Sequence, residues 1–363
     1  MNKRIFFIAP YPHGQAPSQR FRFEQYFEFI KNEGFDIEFH SFLSEQTWGK
    51  IYKEGSFVSK SMGILGSFAK RFSLLFKLRK VDYIFIHREA SMIGPPIFEW
   101  IIAKILRKKY IYDFDDAIWL PNYSENNARF HRLKAYWKVK KIIKWADKVT
   151  VGNTFLMNYA KQYNQNVAVI PTTIDLENVH NQLNNQDVEP VNIGWTGTHT
   201  TMSYLHDLLP VFKELEKEYS FTFTIISNQA PDFPVFPDKE FKSLRFIKWN
   251  KETEISDLAK FNIGIMPLTE GPWAEGKCGF KGLQYMALGI PALMSPVGVN
   301  KEIIVYGENG FLCETVSEWK KQLINLITDK SLRQTIGNKG RETVAERYSV
   351  EANKAKYLEL FTS

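Results

Sequence analysis

The chain is poor in cysteine. Only Cys278 and Cys313 occur among 363 residues, so neither a disulfide framework nor a C-x-x-C metal or redox site is expected. A reducing, cytoplasmic compartment fits that usage. Long apolar runs are missing too. No window reaches eighteen uninterrupted apolar residues, which excludes a spanning helix from the reading. The first apolar run, Ile5 to Ala9, stops at Pro10. It is too short for the apolar region of a secretory leader and reads as a buried first strand. No Gly-x-Gly-x-x-Gly follows it, which argues against a dinucleotide-dependent oxidoreductase. Acidic residues are scarce in the first half: residues 1–171 hold 27 Lys+Arg against 15 Asp+Glu, a net of +12. Residues 172–363 hold 20 against 25, a net of −5, and the two sum to the chain's +7. A basic half invites an anionic partner such as a membrane surface or lipid phosphate. No nucleic-acid recognition motif accompanies the charge, so nucleic acid is not expected as a partner.

What is present is the composition of a globular protein, 44% apolar and 24% charged, with aromatics high at 15%. The length asks for two cores. Apolar runs of strand length alternate with helical periodicity from the start: Ile5–Ala9, a helix over Phe21–Glu33, Phe35–Phe39, Tyr83–Ile86, a helix over Pro95–Leu106, then Lys109–Tyr112. A long basic helix over Ala128–Trp145 and the runs Lys148–Val151 and Val167–Ile170 close the first half at Pro171. The polar stretch Asp175–Pro190 reads as a linker. The alternation then restarts at Val191–Trp195 and ends in a helix over Val350–Phe361. Such alternation predicts an α/β protein of two parallel sheets with helices on both faces. In open α/β sheets ligands bind beyond the carboxyl ends of the strands, here across a cleft between the two halves.

The strongest motif runs from Gly276 to Pro291. Lys277 and Lys281 lie four apart in a Gly-rich turn (Gly276, Gly279, Gly282) that opens a helix. Glycine lets backbone amides approach a ligand, and a helix start presents unpaired N–H groups and partial positive charge. Two ammonium groups there favour a phosphate; the plain alternative is two solvated lysines. Gln284 shares a helix face with Lys281. A second Gly- and hydroxyl-rich loop, Gly194-Trp195-Thr196-Gly197-Thr198-His199-Thr200-Thr201, follows a strand and precedes a helix near Met202. It can wrap a diphosphate, or Thr200 or Thr201 can simply cap that helix.

With these residues the chain resembles the retaining glycosyltransferases of family 4, whose GT-B fold sets two Rossmann-like domains face to face. Gln284-Tyr285-Met286-Ala287-Leu288-Gly289-Ile290-Pro291 matches the end of that family's signature, and residues 295–312 continue its run. The resemblance implies a Rossmann-like acceptor domain over 1–172, a linker over 173–190, a Rossmann-like nucleotide-sugar domain over 191–347 and a last helix, 348–363, crossing back to the first domain. Gln284 falls where the family's second Glu holds the donor ribose. Gly276 falls where its first Glu meets the donor sugar, with Glu275 one residue away as a substitute. Donor contacts are thus expected from Gly194, Thr196, Gly197, Thr198, Glu275, Lys277, Lys281 and Gln284. The Arg and Lys that many members place in the first loop are absent, so Lys277 and Lys281 are expected to supply that charge. The nucleotide sugar enters as substrate; no metal and no cofactor are expected.

Three further constellations sit at strand ends of the first half. Tyr112-Asp113-Phe114-Asp115-Asp116 offers three carboxylates. An Asp-x-Asp holds a metal and nucleotide in the other main glycosyltransferase fold; here Asp115 and Asp116 are expected to contact the acceptor, with Asp113 interior. Arg20 and Arg22 stand at a helix start, where the dipole disfavours cations. Either Arg20 meets an anionic ligand or one of the two pairs with Glu24, Glu89 or the Asp cluster. His87, after the Tyr83–Ile86 run, is an acceptor-site candidate or a structural histidine. Residues 50–80 and 129–148 interleave Lys/Arg, Lys53 and Lys70 among them, with apolar positions. That pattern suits an anionic membrane surface or a solvated helix face.

The expected activity is transfer of a sugar from a nucleotide sugar to a hydroxyl of a glycan or lipid-linked acceptor, with retention, in surface polysaccharide or glycolipid synthesis. A nucleotide-sugar epimerase of the same architecture and a non-catalytic nucleotide-sugar-binding protein are the alternatives.

Overall fold

The computed structural model describes residues 2–51, 57–121, 131–231 and 241–362. Lys53 and the first residues of the expected basic helix, 128–130, lie outside them. The chain divides into two compact units, Met1–Thr172 with Asn353–Ser363, and Thr173–Ala352.

The first unit is built on β1 (Lys3–Ala9), β2 (Phe35–Ser41), β3 (Tyr83–His87), β4 (Ile111–Phe114), β5 (Lys148–Val151) and β6 (Val167–Val169). They form one parallel sheet in the order β2-β1-β3-β4-β5-β6. The last five residues of β1 are buried. A parallel strand is covered on both faces, so it reads as an apolar run instead of an alternation. Phe7 of β1 centres an aromatic cluster, with ring centroids 4.8 Å from Phe27, 5.0 Å from Phe85 and 6.0 Å from Phe361. Phe361 comes from the Val350–Thr362 helix, whose Tyr357 also stacks on Tyr26 at 4.2 Å.

Two helices differ from expectation. The helix over 21–33 is realised as Pro17–Arg20, a 3-10 turn at Glu24–Tyr26, and Phe27–Asn32. Gln19 exchanges hydrogen bonds with the backbone of Tyr11, and Glu24 accepts from Gly14 N–H at 2.8 Å. Those side chains tie the segment to the loop after β1 and pull the helix out of register. In the basic segment, a 3-10 turn (His131–Lys134) and a helix (Lys138–Trp145) are separated at Ala135, whose φ of 50° cannot continue a right-handed helix.

The second unit holds β7 (Val191–Gly197), β8 (Phe221–Ser227), β9 (Leu244–Lys248), β10 (Ile263–Met266), β11 (Ala292–Met294) and β12 (Phe311–Leu312), parallel in the order β12-β11-β10-β7-β8-β9. Its core gathers Trp195, Phe212, Phe223, Ile265 and Leu323, with Phe212 and Phe223 stacked at 4.2 Å. In each sheet the chain builds first to one side of its opening strand and then to the other. The order therefore reverses between β1 and β3 and between β7 and β10, and a crevice opens at the carboxyl ends of those pairs.

Candidate active site

In the second unit the crevice between β7 and β10 is closed at one side by the Phe280–Ala287 helix. Tyr285 fixes that helix. Its phenol accepts from Thr196 N–H at 3.1 Å and donates to the Ile265 carbonyl at 3.4 Å, tying it to the ends of both strands. Burial pushes the Tyr285 phenol up, so it remains a donor at neutral pH. One turn earlier, the Lys281 ammonium lies 4.5 Å from the Trp195 ring centroid. A Cβ added to Gly197 would stand 2.5 Å from that ring and 2.8 Å from the Lys281 nitrogen. Glycine at 197 is thus what leaves space around the ammonium. Lys277 lies in the preceding turn, its ammonium 4.9 Å from the Trp273 ring centroid. Burial, and then the charge of Lys277, lower Lys281 to about 7. Burial and the neighbouring positive charge both disfavour the Lys281 ammonium, so an anion at this point would be stabilising.

The turn is held by its own packing. Gly279 takes the left-handed conformation (φ 68°) directly against Ile303 and caps the helix. Gly298 (φ 54°) seats on the backbone of Glu275, the last residue of the Pro272–Glu275 helix. Glu275 is half-buried there. The other donor-side candidates divide. Thr196 and Gly197 are half-buried at the end of β7, and Thr198 is exposed. The helix that follows is a 3-10 segment from His199 to Leu208 with Thr198, not Thr200 or Thr201, as its N-cap. Gly194 is buried, and an added Cβ would overlap the Phe261 ring, so its small size serves packing. Gln284 is also buried, its amide nitrogen 3.5 Å from Nε2 of His180.

In the first unit, Asp113, next to last in β4, is a buried hub. Its carboxylate accepts from a ring nitrogen of His87 at 2.8 Å, from Thr150 at 2.7 Å and from the Arg22 guanidinium, which also donates to the Ile170 carbonyl. Burial alone would raise the Asp113 carboxyl; Arg22, followed by His87, holds it well below the usual range. Asp113 is interior, and its partners are side chains from three other segments. His87 is fully buried against it, which corrects its placement at a surface open to acceptor: it can position Asp113 and β3 but meets no solvent. Arg22 is the arginine that joins the Asp cluster. Arg20 is half-buried with its guanidinium 4.9 Å from the Phe21 ring centroid. Asp115 and Asp116 are both bound by Arg88, at 2.8 and 2.5 Å. Arg88 itself is held in the left-handed region (φ 58°) by its N–H to the Asp113 carbonyl and its carbonyl to the Tyr112 hydroxyl. Burial works against its charge, but Asp115 and Asp116 more than compensate and raise its pKa.

Several members of these clusters carried no signal of their own in the sequence. Trp273 and Arg88 are not singled out by any motif, and Trp195 and Tyr285 stand inside theirs with no role assigned. Among the described residues, no group of three His, Cys, Asp or Glu is placed to hold a metal ion, and no helix is long and apolar enough to cross a membrane.

Comparison with known proteins bears on this geometry. Residues 190–329 match the family described as glycosyl transferases group 1. That segment contains the Lys277/Lys281 turn and the Thr196–Thr198 loop. The N-acetyl-alpha-D-glucosaminyl L-malate synthase of Bacillus anthracis is 27% identical over 119 residues, 32% of this chain and 30% of that protein. The capsular polysaccharide biosynthesis glycosyltransferase CapM of Staphylococcus aureus is 26% identical over 185 residues, 48% of this chain and 45% of that protein. The matches thus span a third to a half of these relatives. Likeness in fold extends over the whole chain. Sucrose-phosphate synthase of Thermosynechococcus elongatus superposes with a TM-score of 0.72 at 14% identity, covering 99% of this chain and 98% of that one. Anabaena Alr3699/HepE, in complex with UDP and glucose, gives 0.65 at 14% identity, with both chains covered completely. The fold is that of the GT-B glycosyltransferases, with two Rossmann-like units.

Proposed function

We propose that this protein is a retaining glycosyltransferase of family 4 type, which transfers a sugar from a nucleotide sugar to a hydroxyl of a glycan or lipid-linked acceptor in surface polysaccharide or glycolipid synthesis. One observation carries the reading: Lys281, beside Lys277, stands over Trp195 and against Gly197 at the point where the strand order of the second sheet reverses. A pyrophosphate there accepts charge-assisted hydrogen bonds from both ammonium groups and from the amides around Gly197. In the reaction the bond from the anomeric carbon to the distal phosphate oxygen breaks and a bond to the acceptor oxygen forms on the same face. The acceptor's proton passes to the departing diphosphate. The charge that builds on that diphosphate is stabilised by Lys277 and Lys281, fixed in advance by Tyr285 and the glycine turns. On the acceptor side the reading uses Arg20 and the Arg88–Asp115–Asp116 cluster, with His87 and Asp113 as supports behind them. The anionic membrane surface remains part of the proposal, with a peripheral location at the cytoplasmic face.

The test is release of nucleoside diphosphate from a panel of nucleotide sugars, with and without candidate acceptor hydroxyls, alongside thermal stabilisation by each donor. Acceptor-dependent release, lost in Lys281→Met with the fold intact, is expected. Conversion of the sugar with no acceptor present would favour the epimerase, and stabilisation without any turnover the binding protein.

A further inference from the structure

The Phe57–Lys77 helix has two features that the chemistry above does not use. Its inner side is buried through Ser67, Arg71 and Leu74. The Arg71 guanidinium donates to the carbonyls of Ala90, His40 and Ala9 at 2.9, 3.0 and 3.1 Å, which fixes the rotation of the helix. Opposite it, Val58, Met62, Leu65, Phe72 and Phe76 are 71, 68, 68, 46 and 79% exposed, with exposed Ala69 between them. At roughly 100° per residue these positions fall within an arc of about 80°, a continuous apolar stripe turned away from the core. Phe72 meets Phe98 at 4.9 Å. An apolar face of this extent marks an interaction site.

The second feature is charge. From Phe57 to Lys80 the sequence has six Lys/Arg and no Asp or Glu. A cavity of about 330 Å³ lies between the helix and β2, lined among others by His40 and Ser41 of the strand and Lys70, Arg71, Ser73 and Lys77 of the helix. Lys70 and Lys77 are two turns apart on the flank of the stripe, so the apolar face and the basic cavity border one another.

We propose that this helix lies flat on an anionic phospholipid bilayer, with the Val58–Phe76 stripe at the headgroup–acyl boundary and the His40–Lys70–Lys77 cavity taking a lipid phosphate. The charge selects this occupant. A second copy of the chain would set one acid-free basic helix against another and repel it, whereas the negative potential of an anionic leaflet attracts both features together. This deepens the membrane-surface part of the proposed function and rests on it, while owing nothing to donor binding.

The experiment is co-sedimentation of the full chain with vesicles of equal phosphatidylglycerol and phosphatidylcholine, and with phosphatidylcholine alone. At least tenfold stronger partition onto the anionic vesicles is expected, weakened by 0.5 M salt as exposed charges are screened. Leu65→Ser with Phe76→Ser, and separately Lys70→Glu with Lys77→Glu, should each lower that partition at least tenfold. Both variants should keep the thermal stabilisation given by a UDP-sugar, which shows them folded. Wild-type protein left in the supernatant, or variants that partition like wild type, would overturn the proposal. So would a dimer that the Leu65/Phe76 variant converts to monomer without any lipid binding. If the nucleotide stabilisation alone is missing, the donor reading fails and the docking face stands.

Discussion

Binding of a nucleotide sugar should take up a proton at Lys281. In the free protein burial and Lys277 hold its ammonium at about 7, against an ordinary value near 10.4. A pyrophosphate within reach offsets burial and the Lys277 charge with its own negative charge, so the bound lysine is charged throughout the accessible range. The affinity then follows the fraction of free protein that is already charged. Because the shift is downward, this fraction is nearly full at pH 6, about half at pH 7 and about 1% at pH 9. The dissociation constant should therefore be nearly flat below pH 6, rise tenfold per unit above 7, and be weaker by roughly a hundredfold at pH 9, or about 2.7 kcal/mol. Titration calorimetry of a UDP-sugar in buffers of different ionisation enthalpy reads both quantities, with about 0.9 proton taken up per site expected at pH 8. The pyrophosphate of a nucleotide sugar does not titrate in this range, so the slope belongs to the protein. Lys281→Met should bind weakly and without the slope. A dissociation constant that stays level from pH 6 to 9, or the same slope in Lys281→Met, would refute the assignment of Lys281 to the pyrophosphate.

Gly197→Ala should weaken UDP-sugar binding at least tenfold by thermal shift titration at nearly unchanged melting temperature, because its Cβ enters the space beside Lys281 and Trp195. Gly194→Ala should do the reverse, lowering stability by about 1–3 kcal/mol through overlap with Phe261. Arg22→Met leaves the buried Asp113 carboxylate short of its main counter-charge and should cost about 3–5 kcal/mol in urea unfolding. The Asp113 contribution in the wild type is present above about pH 4, the unfolded carboxyl value, and is lost as pH falls below it, the direction required of a depressed carboxyl. Tyr357→Ala removes a ring stacked on Tyr26. It should cost about 3–5 kcal/mol in the same assay, with early amide exchange in the Val350–Thr362 helix.

Much of the frame was legible in the residues. Parallel strands buried on both faces need unbroken apolar runs, and Ile5–Ala9 and Tyr83–Ile86 announce β1 and β3 for that reason. The Gly276–Pro291 turn announced itself because glycine in a left-handed or tightly packed position has no cheap substitute, as Gly279 shows. Helix interiors were less readable. Gln19 and Glu24 look like ordinary helix residues until they are seen bonded to the loop at 11–14. The roles of charged residues were the least readable. His87 and Asp115 stand at strand ends and Arg20 in the helix after β1, but whether each faces solvent or a partner depends on segments far away in the chain.

The chain's order of residues determined its alternation of covered strands and helices and its phosphate-ready turn, because burial on two faces and left-handed backbone constrain residue type locally. Tertiary structure alone decided that Arg22 answers Asp113, 91 positions away, and that Val58 to Phe76 turn outward. Those outcomes follow from how strands register and which helix side finds the core, and no local preference encodes either.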